Sequence, residues 1–282
     1  MAADLTLRKM SVEDIPAGLR LCRASGWNQV ADDWQAFLTW PGSGGFLAES
    51  GDRIVGTVAL VRHEPLVWIA MMLVDPEHWR EGVGTRLMEI VLDAAGGAEC
   101  IGLDATPAGE PLYRRFGFVN DRRLIRMKAS IAAVPELSAL VRRMNRADLS
   151  AILQRDREVF GADRGALLKW LFDRSPECAW IAEEGQTPRG YAFGRPGYLY
   201  DQIGPVVAED AETARALVAG CWSRLSGRKV VIDTARFSAG WMHSLASLGF
   251  VEERPFVRMF RQPGTHPGLT GLQYAITGPE FA

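Results

Sequence analysis

Residues Phe116–Met127 read FGFVNDRRLIRM, and residues Leu248–Met259 read LGFVEERPFVRM. Both carry Gly-Phe-Val, an acidic residue, an arginine and a closing Arg-Met. Gly117 and Gly249 stand 132 positions apart, and so do Met127 and Met259. A string kept at constant internal spacing marks a repeated structural unit. A glycine that stops a helix, followed by a strand-like run, suits the end of an α/β domain.

The repeat extends outward from this pair. LRKMSVEDI from Leu7 matches VRRMNRADL from Val141, and FLAESG from Phe46 matches WIAEEG from Trp180, both at an offset of 134. Gly56 matches Gly190 at the same offset of 134, and LDAT from Leu103 matches IDTA from Ile232 at 129. The chain of 282 residues is therefore a duplication, and each copy has the length of an ordinary domain. We place the domains at 1–130 and 131–282. The join falls in KASIAAVPELSA, Lys128–Ala139, which is rich in small residues, holds one proline and reads as a short linker.

Composition narrows the class. A hydrophobic content of 48% with 23% charged residues is that of a globular protein with ample core material. The net charge of −2 gives no electrostatic case for nucleic acid or a membrane surface as partner. No apolar run approaches the roughly 20 residues of a membrane span, and the N-terminal residues lack an apolar signal core, so a cytoplasmic location is expected. Cys22, Cys100, Cys178 and Cys221 are scattered without metal spacing, which predicts buried, reduced thiols and no metal.

Within the first copy, LTLRKM reads as a strand. SVEDIPAGLRLCRAS opens with a capping pattern and continues as a helix. DDWQAFLTW is a second helix by its apolar spacing. GFLAES, RIVGTVALV and LVWIAMMLV are strands, the last apolar enough to be buried on both faces. GTRLMEIVLDAAGG is a helix with a stripe of Leu87, Met88, Val91, Leu92 and Ala95. CIGLDAT, GEPLYRRF and LIRMKA follow as strand, helix and closing strand. The order β-α-α-β-β-β-α-β-α-β implies a mixed α/β sheet.

The chemistry-bearing stretch is VDPEHWREGVGTRLM, Val74–Met88. A buried strand ends in it and an amphipathic helix begins in it, with Gly82 and Gly84 between. Unpaired N–H groups at a helix start, with the positive end of the dipole, attract anions. A tight strand-to-helix turn is the competing reading of the same glycines. The spacing lacks the third glycine of a dinucleotide loop and the Gly-Lys-Ser/Thr ending of a nucleotide-triphosphate loop.

V-D-P…G-x-G-T after a long apolar strand, followed by LDATPAGEPLYRRFGF, resembles the acetyl-CoA site of the GNAT superfamily of N-acetyltransferases. GWNQ, DDW, FGADR, IGPVVAED and AITGPEFA carry the resemblance into a bacterial tandem type, a regular GNAT domain followed by a divergent one. The resemblance implies two duplicated mixed α/β domains and an acetyl-CoA cosubstrate. It implies that the backbone of Leu73 and Val74 pairs with the pantetheine amides. It further implies that the loop of Arg80, Glu81, Gly82, Val83, Gly84 and Thr85 holds the pyrophosphate. Tyr113, four residues before Gly117, is where the family places a tyrosine facing the CoA sulfur. Trp27, Asn28 and Asp33 lie where acceptors approach in the family. One departure stands out, since the family's usual Gln or Arg three residues before the first glycine is Trp79 here.

The expected reaction is N-acetylation of a small-molecule primary amine in the first domain. A longer acyl-CoA, or a non-catalytic acyl-CoA sensor, are the alternatives. Asp104 has a counterpart in Asp233, which favours a structural role for both. Asp75 and Glu77 read as loop and cap carboxylates, and His63 as a solvated turn residue. In the second copy GPVVAEDAETARALVAGCW keeps the helix but loses the glycine loop, and Leu245 replaces Tyr113. That copy is expected to bind no acetyl-CoA and to form architecture or an acceptor wall, to which Arg164, Arg195 and His243 are the candidate polar contributors.

Overall fold

A computed structural model describes residues 5–130, 136–185, 187–225, 229–235, 238–261 and 268–282. They fall into two compact units, divided as Met1–Asp121 with Met259–Thr265 and Arg122–Arg258 with His266–Ala282.

The first unit runs β1 (Leu5–Lys9), α1 (Ile15–Ala24), α2 (Ala31–Thr39), β2 (Gly44–Ser50), β3 (Arg53–His63), β4 (Leu66–Val74), α3 (Val83–Ala95), β5 (Cys100–Ala105) and α4 (Glu110–Arg115). This is the element order expected from the sequence. Strands β1 to β4 pair antiparallel in sequence order, and β5 joins β4 in parallel. Of the predicted α3 stripe, Leu87, Met88, Val91 and Ala95 are buried. Removing each of the larger ones from water contributes about 1.5–3 kcal/mol. The helix rests directly on β3 at Gly56, where any added methyl group would meet Val83 and Leu87 at 2.9 Å.

The second unit contains β6 (Val119–Ser130) from Arg122 onward, then β7 (Val141–Arg143), α5 (Leu149–Phe160), α6 (Gly165–Arg174), β8 (Trp180–Glu184), β9 (Thr187–Arg195), β10 (Asp201–Ala208), α7 (Ala211–Trp222), β11 (Lys229–Thr234), α8 (Ala239–Ser247), β12 (Val251–Phe260) as far as Arg258, and β13 (Gln273–Ala275). Its core gathers Trp180, Leu217, Trp222, Trp241 and Phe250, with Met127 and Ala129 from β6.

The closing strands do not stay with their own copies. β6, the last strand of the first copy, pairs antiparallel with β11 of the second, from Ile125↔Thr234 to Ser130↔Lys229. In the first unit, the place beside β5 takes the far end of β12. Arg261 N–H donates to the Ile101 carbonyl at 2.9 Å, and Phe260 meets Trp68 edge-on at 6.3 Å. The two closing strands carry nearly the same text, so each fits the slot of the other, as in domain swapping between identical protomers. The division of the fold therefore differs from 1–130 and 131–282, because 122–130 complete the second unit. Of the expected linker Lys128–Ala139, residues 128–130 lie in β6 and 131–135 lie outside the described residues.

A second repeated device is polar. Arg8 grips Asp14 through two bonds of 2.8 Å and Glu49 at 3.0 Å. Arg142 repeats this with Asp148 at 2.8 and 3.0 Å and Glu183 at 2.7 Å. Each aspartate also accepts the N–H of the residue three before it, Ser11 or Asn145, and so caps the turn after the first strand of its copy.

All four cysteines are buried free thiols. Burial pushes Cys22 up to about 12, out of the range of a reactive thiolate.

Candidate active site

The site grows from a defect in β4. The β3–β4 register slips between Thr57↔Leu73 and Ala59↔Ala70. Met71 takes up the extra residue at φ 52, and the buried Thr57 hydroxyl donates to its carbonyl at 3.1 Å. Bulges of this kind bend a strand and end its pairing. Here β4 pairs with β5 only from Leu66↔Cys100 to Trp68↔Gly102, and beyond Trp68 the two strands part. Asp75 N–H returns to Val55 O at 2.8 Å. Strand alternation therefore turns the N–H and C=O of Val74 away from β3, toward the open edge.

The loop after β4 ends in an anion-ready helix start. Gly82 caps α3 at φ 87, a left-handed conformation costly for other residues. No side chain caps this helix. Among the described residues the N–H groups of Val83, Gly84 and Thr85 have no acceptor. Gly82, Glu81 and Arg80 are exposed, and the Arg80 guanidinium makes no ion pair among the described residues. Glu81 is engaged by His78 at 2.9 Å. Asp75 is buried between Arg20 and Arg53, at 2.9 Å from each. Burial works against its charged form, but the guanidiniums and the Glu77 N–H hold it below the usual carboxylate range. It is a structural anion, as its sequence position suggested.

Helix α4 packs on this helix start, with Leu112 3.2 Å from the position a Gly84 Cβ would take. Tyr113 follows on the buried side of α4, edge-on to Phe118 at 6.2 Å. Burial raises its phenol above the ordinary value, so the hydroxyl keeps its proton. Among the described residues that hydroxyl has no hydrogen-bond partner. A neutral phenol is thereby held on the helix that packs against these free N–H groups.

The Acetyltransferase (GNAT) family model matches residues 18–118, and the Acetyltransferase (GNAT) domain model matches residues 152–275. The chain is a tandem GNAT acyltransferase. It is 27% identical to the uncharacterized N-acetyltransferase YitH of Bacillus subtilis over 278 residues, covering 96% of each chain. It is 24% identical to the holothin acyltransferase of a Pseudoalteromonas species over 242 residues, 84% of this chain and 81% of that one. The crystal structure of an acetyltransferase from Pyrococcus horikoshii shares the fold at a TM-score of 0.83 and 20% identity, covering 98% of this chain and 95% of that one.

The second GNAT unit has the same strand parting, but it is filled. β10 and β11 pair from Asp201↔Val230 to Ile203↔Ile232 and then diverge. β13 enters the gap, antiparallel to β10 at Val206↔Ala275 and Val207↔Gln273. Ile276 bridges to Asp233, donating to its carbonyl at 2.9 Å, and its own carbonyl lies against Gly204. The helix start is also occupied, because the Asp210 carboxylate accepts the Thr213 N–H at 2.8 Å. Leu245, the counterpart of Tyr113, is fully buried in the core.

Two of the acceptor-wall candidates serve this insertion. Arg164 is buried, paired with Asp156 at 2.8 Å, and reaches Thr277 Oγ1 at 3.2 Å. Arg195 is buried and paired with Glu280. Both are held by the protein's own carboxylates rather than presented to solvent. His243 is exposed on α8. In the first unit Asp33 is buried and caps α2, accepting the Val30 N–H at 2.8 Å. Trp27 is half-buried and Asn28 buried in the α1–α2 connection. His63, expected to be solvated, is buried at the end of β3.

Three features escaped the sequence reading. The Thr57–Met71 contact leaves no pattern, since a bulge is a register event between strands. β13 is only three residues long, and its Gln-Tyr-Ala run is too short for a period. Gln29, beside Asn28, buries a side-chain oxygen with no donor among the described residues. Its only signal was its place as the last residue of GWNQ. Among the described residues no His, Cys, Asp or Glu cluster is arranged to hold a metal, and no helix is long and apolar enough to cross a membrane.

Proposed function

We propose that the first GNAT unit transfers an acetyl group from acetyl-CoA to the primary amine of a small molecule, with Tyr113 as general acid. We further propose that the second unit holds no acyl donor. The observation that carries this reading is the open edge of β4 running toward the uncapped start of α3. The second unit supports it as an internal comparison. There, the matching edge at Val206 and Val207 pairs with an extended, amide-bearing segment. The pantetheine arm of CoA is an extended, amide-bearing chain, and its pyrophosphate suits the free N–H groups near Gly82 and the unpaired Arg80.

The amine lone pair attacks the thioester carbonyl and forms the C–N bond. Backbone donors of the bulged strand stabilise the resulting oxyanion. Collapse breaks the C–S bond, and Tyr113 gives its proton to the departing thiolate. Water carries away the proton lost by the amine. Trp27, Asn28 and Gln29 are the acceptor-side groups in this reading, the last with a buried oxygen able to accept from an ammonium or amine N–H. The near-neutral net charge and the holothin acyltransferase likeness favour a small-molecule acceptor over a nucleic-acid-bound or membrane-bound one.

Thiol release from acetyl-CoA across a panel of small amines tests the reading. Amine-stimulated release is the expected result. Donor binding with no stimulation by any amine, and release with longer acyl-CoAs alone, would each replace the proposed substrates.

A further inference from the structure

Trp79 stands where β4 gives way to the loop that opens α3. Its residue surface is 63% exposed, an unusual place for the largest apolar side chain. One hydrogen bond holds the ring, from Nε1–H to the Val74 carbonyl at 2.9 Å. Among the described residues the side chain makes no other polar or ring contact. The next residue, Arg80, sits at φ 67, a conformation that residues with a side chain seldom adopt. The ring is thus tied to the open edge by a single bond, on a strained segment.

The Val74 carbonyl is not an idle acceptor. It lies on the edge of β4 that β5 leaves unpaired. In the second unit the inserted segment pairs along Val206 and Val207, whose counterparts at the repeat offset of 134 are Met72 and Leu73. A chain lying on Met72 and Leu73 and reaching the N–H groups near Gly82 must pass Val74. Its next amide would meet the carbonyl that Trp79 now holds.

We infer that Trp79 is a gate on the donor groove. Its indole N–H occupies the Val74 carbonyl while the groove is empty and yields that carbonyl to an amide N–H of the acyl donor. This rests on the reading of the first unit as the donor site. The exchange trades one N–H···O bond for another, so binding loses the indole bond in return for the amide bond. The gate therefore weakens donor affinity and leaves the chemical step alone, which makes Trp79 a positioning residue.

Trp79→Phe keeps an aromatic ring and removes the N–H. Calorimetry with CoA should show about 5-fold tighter binding in Trp79→Phe than in wild type, the scale of one exchanged neutral hydrogen bond. In the thiol-release assay KM for acetyl-CoA should fall while kcat stays level. Wild-type tryptophan emission should shift on adding CoA, and the shift should be lost in the variant. Equal or weaker CoA binding by Trp79→Phe, with wild type binding normally, overturns the gate alone. No CoA binding by either protein overturns the donor-site reading, and the gate with it.

Discussion

Arg126 of β6 and Asp233 of β11 form a bidentate ion pair, with Nε to Oδ1 and Nη2 to Oδ2 both at 2.8 Å. Both side chains are removed from water, and Gln202 donates to the same carboxylate at 3.1 Å. The pair fastens the closing strand of the first copy into the second unit. Breaking one side leaves a buried charge without its partner, so Asp233→Asn should cost about 3–5 kcal/mol. Arg126→Met with Asp233→Leu should recover most of that loss, because the desolvation of both charges is removed together. Urea midpoints of the single and double variants decide it. A mild loss in Asp233→Asn would mean the pair is relieved by water.

This pair marks how far the sequence could be read. The repeat made Asp104 and Asp233 equivalents and assigned both to the fold, and Asp233 has that role. Gly117 and Gly249 were legible as helix stops, and the strands after them as closing strands. Their destinations were not legible. FGFVNDRRLIRM and LGFVEERPFVRM have the same alternation of apolar and charged residues, so burial favours either strand in either slot. Arg164 and Arg195 were misleading for a related reason. A polar residue in a loop motif looks available until a distant carboxylate, here Glu280 for Arg195, is brought onto it.

Acid should destabilise both units through the same device. Hydrogen bonds from Arg8 draw Asp14 down to about 2, and Arg142 lowers Asp148 likewise. Each carboxylate is more acidic folded than unfolded. Its contribution is therefore complete above an unfolded value near 4 and lost as pH falls through the folded value, which is about 2 for Asp14. Stability measured in urea between pH 5 and about 2 should drop steeply in wild type. In Arg8→Ala with Arg142→Ala it should start lower and fall less. Parallel slopes would show that other carboxylates govern the acid limb.

Gly82 separates strain from charge at the helix start. Its φ of 87 makes any side chain unfavourable, so Gly82→Ala should lose about 1 kcal/mol of stability. Gly82→Glu adds a carboxylate where the N–H groups of α3 are free. That charge should weaken CoA binding about 100-fold beyond the alanine variant. Calorimetry on the two variants gives the comparison. Equal binding by both would remove the anion from this helix start.

Stoichiometry tests the filled second unit. β13 occupies the strand gap and Asp210 the helix start, so acetyl-CoA should bind at one site per chain. Asp210→Ala should cost about 1 kcal/mol as a lost N-cap. It should not create a second site, because the strand gap remains filled. Two sites of comparable affinity in wild type would contradict the assignment of the reaction to the first unit.

Tyr113→Phe isolates the proposed acid. The phenol is buried and its pKa raised by burial, so it stays protonated across the working range. Removing the hydroxyl should lower kcat about 100-fold with CoA affinity unchanged, as for loss of a general acid. Because the folded value lies above the unfolded one near 10, Tyr113 favours the folded state less as pH rises beyond about 10. The activity of wild type should therefore show no alkaline limb from Tyr113 below that pH. If the variant keeps its rate but binds CoA more weakly, Tyr113 is a packing residue of α4, and the proton for the thiolate comes from solvent.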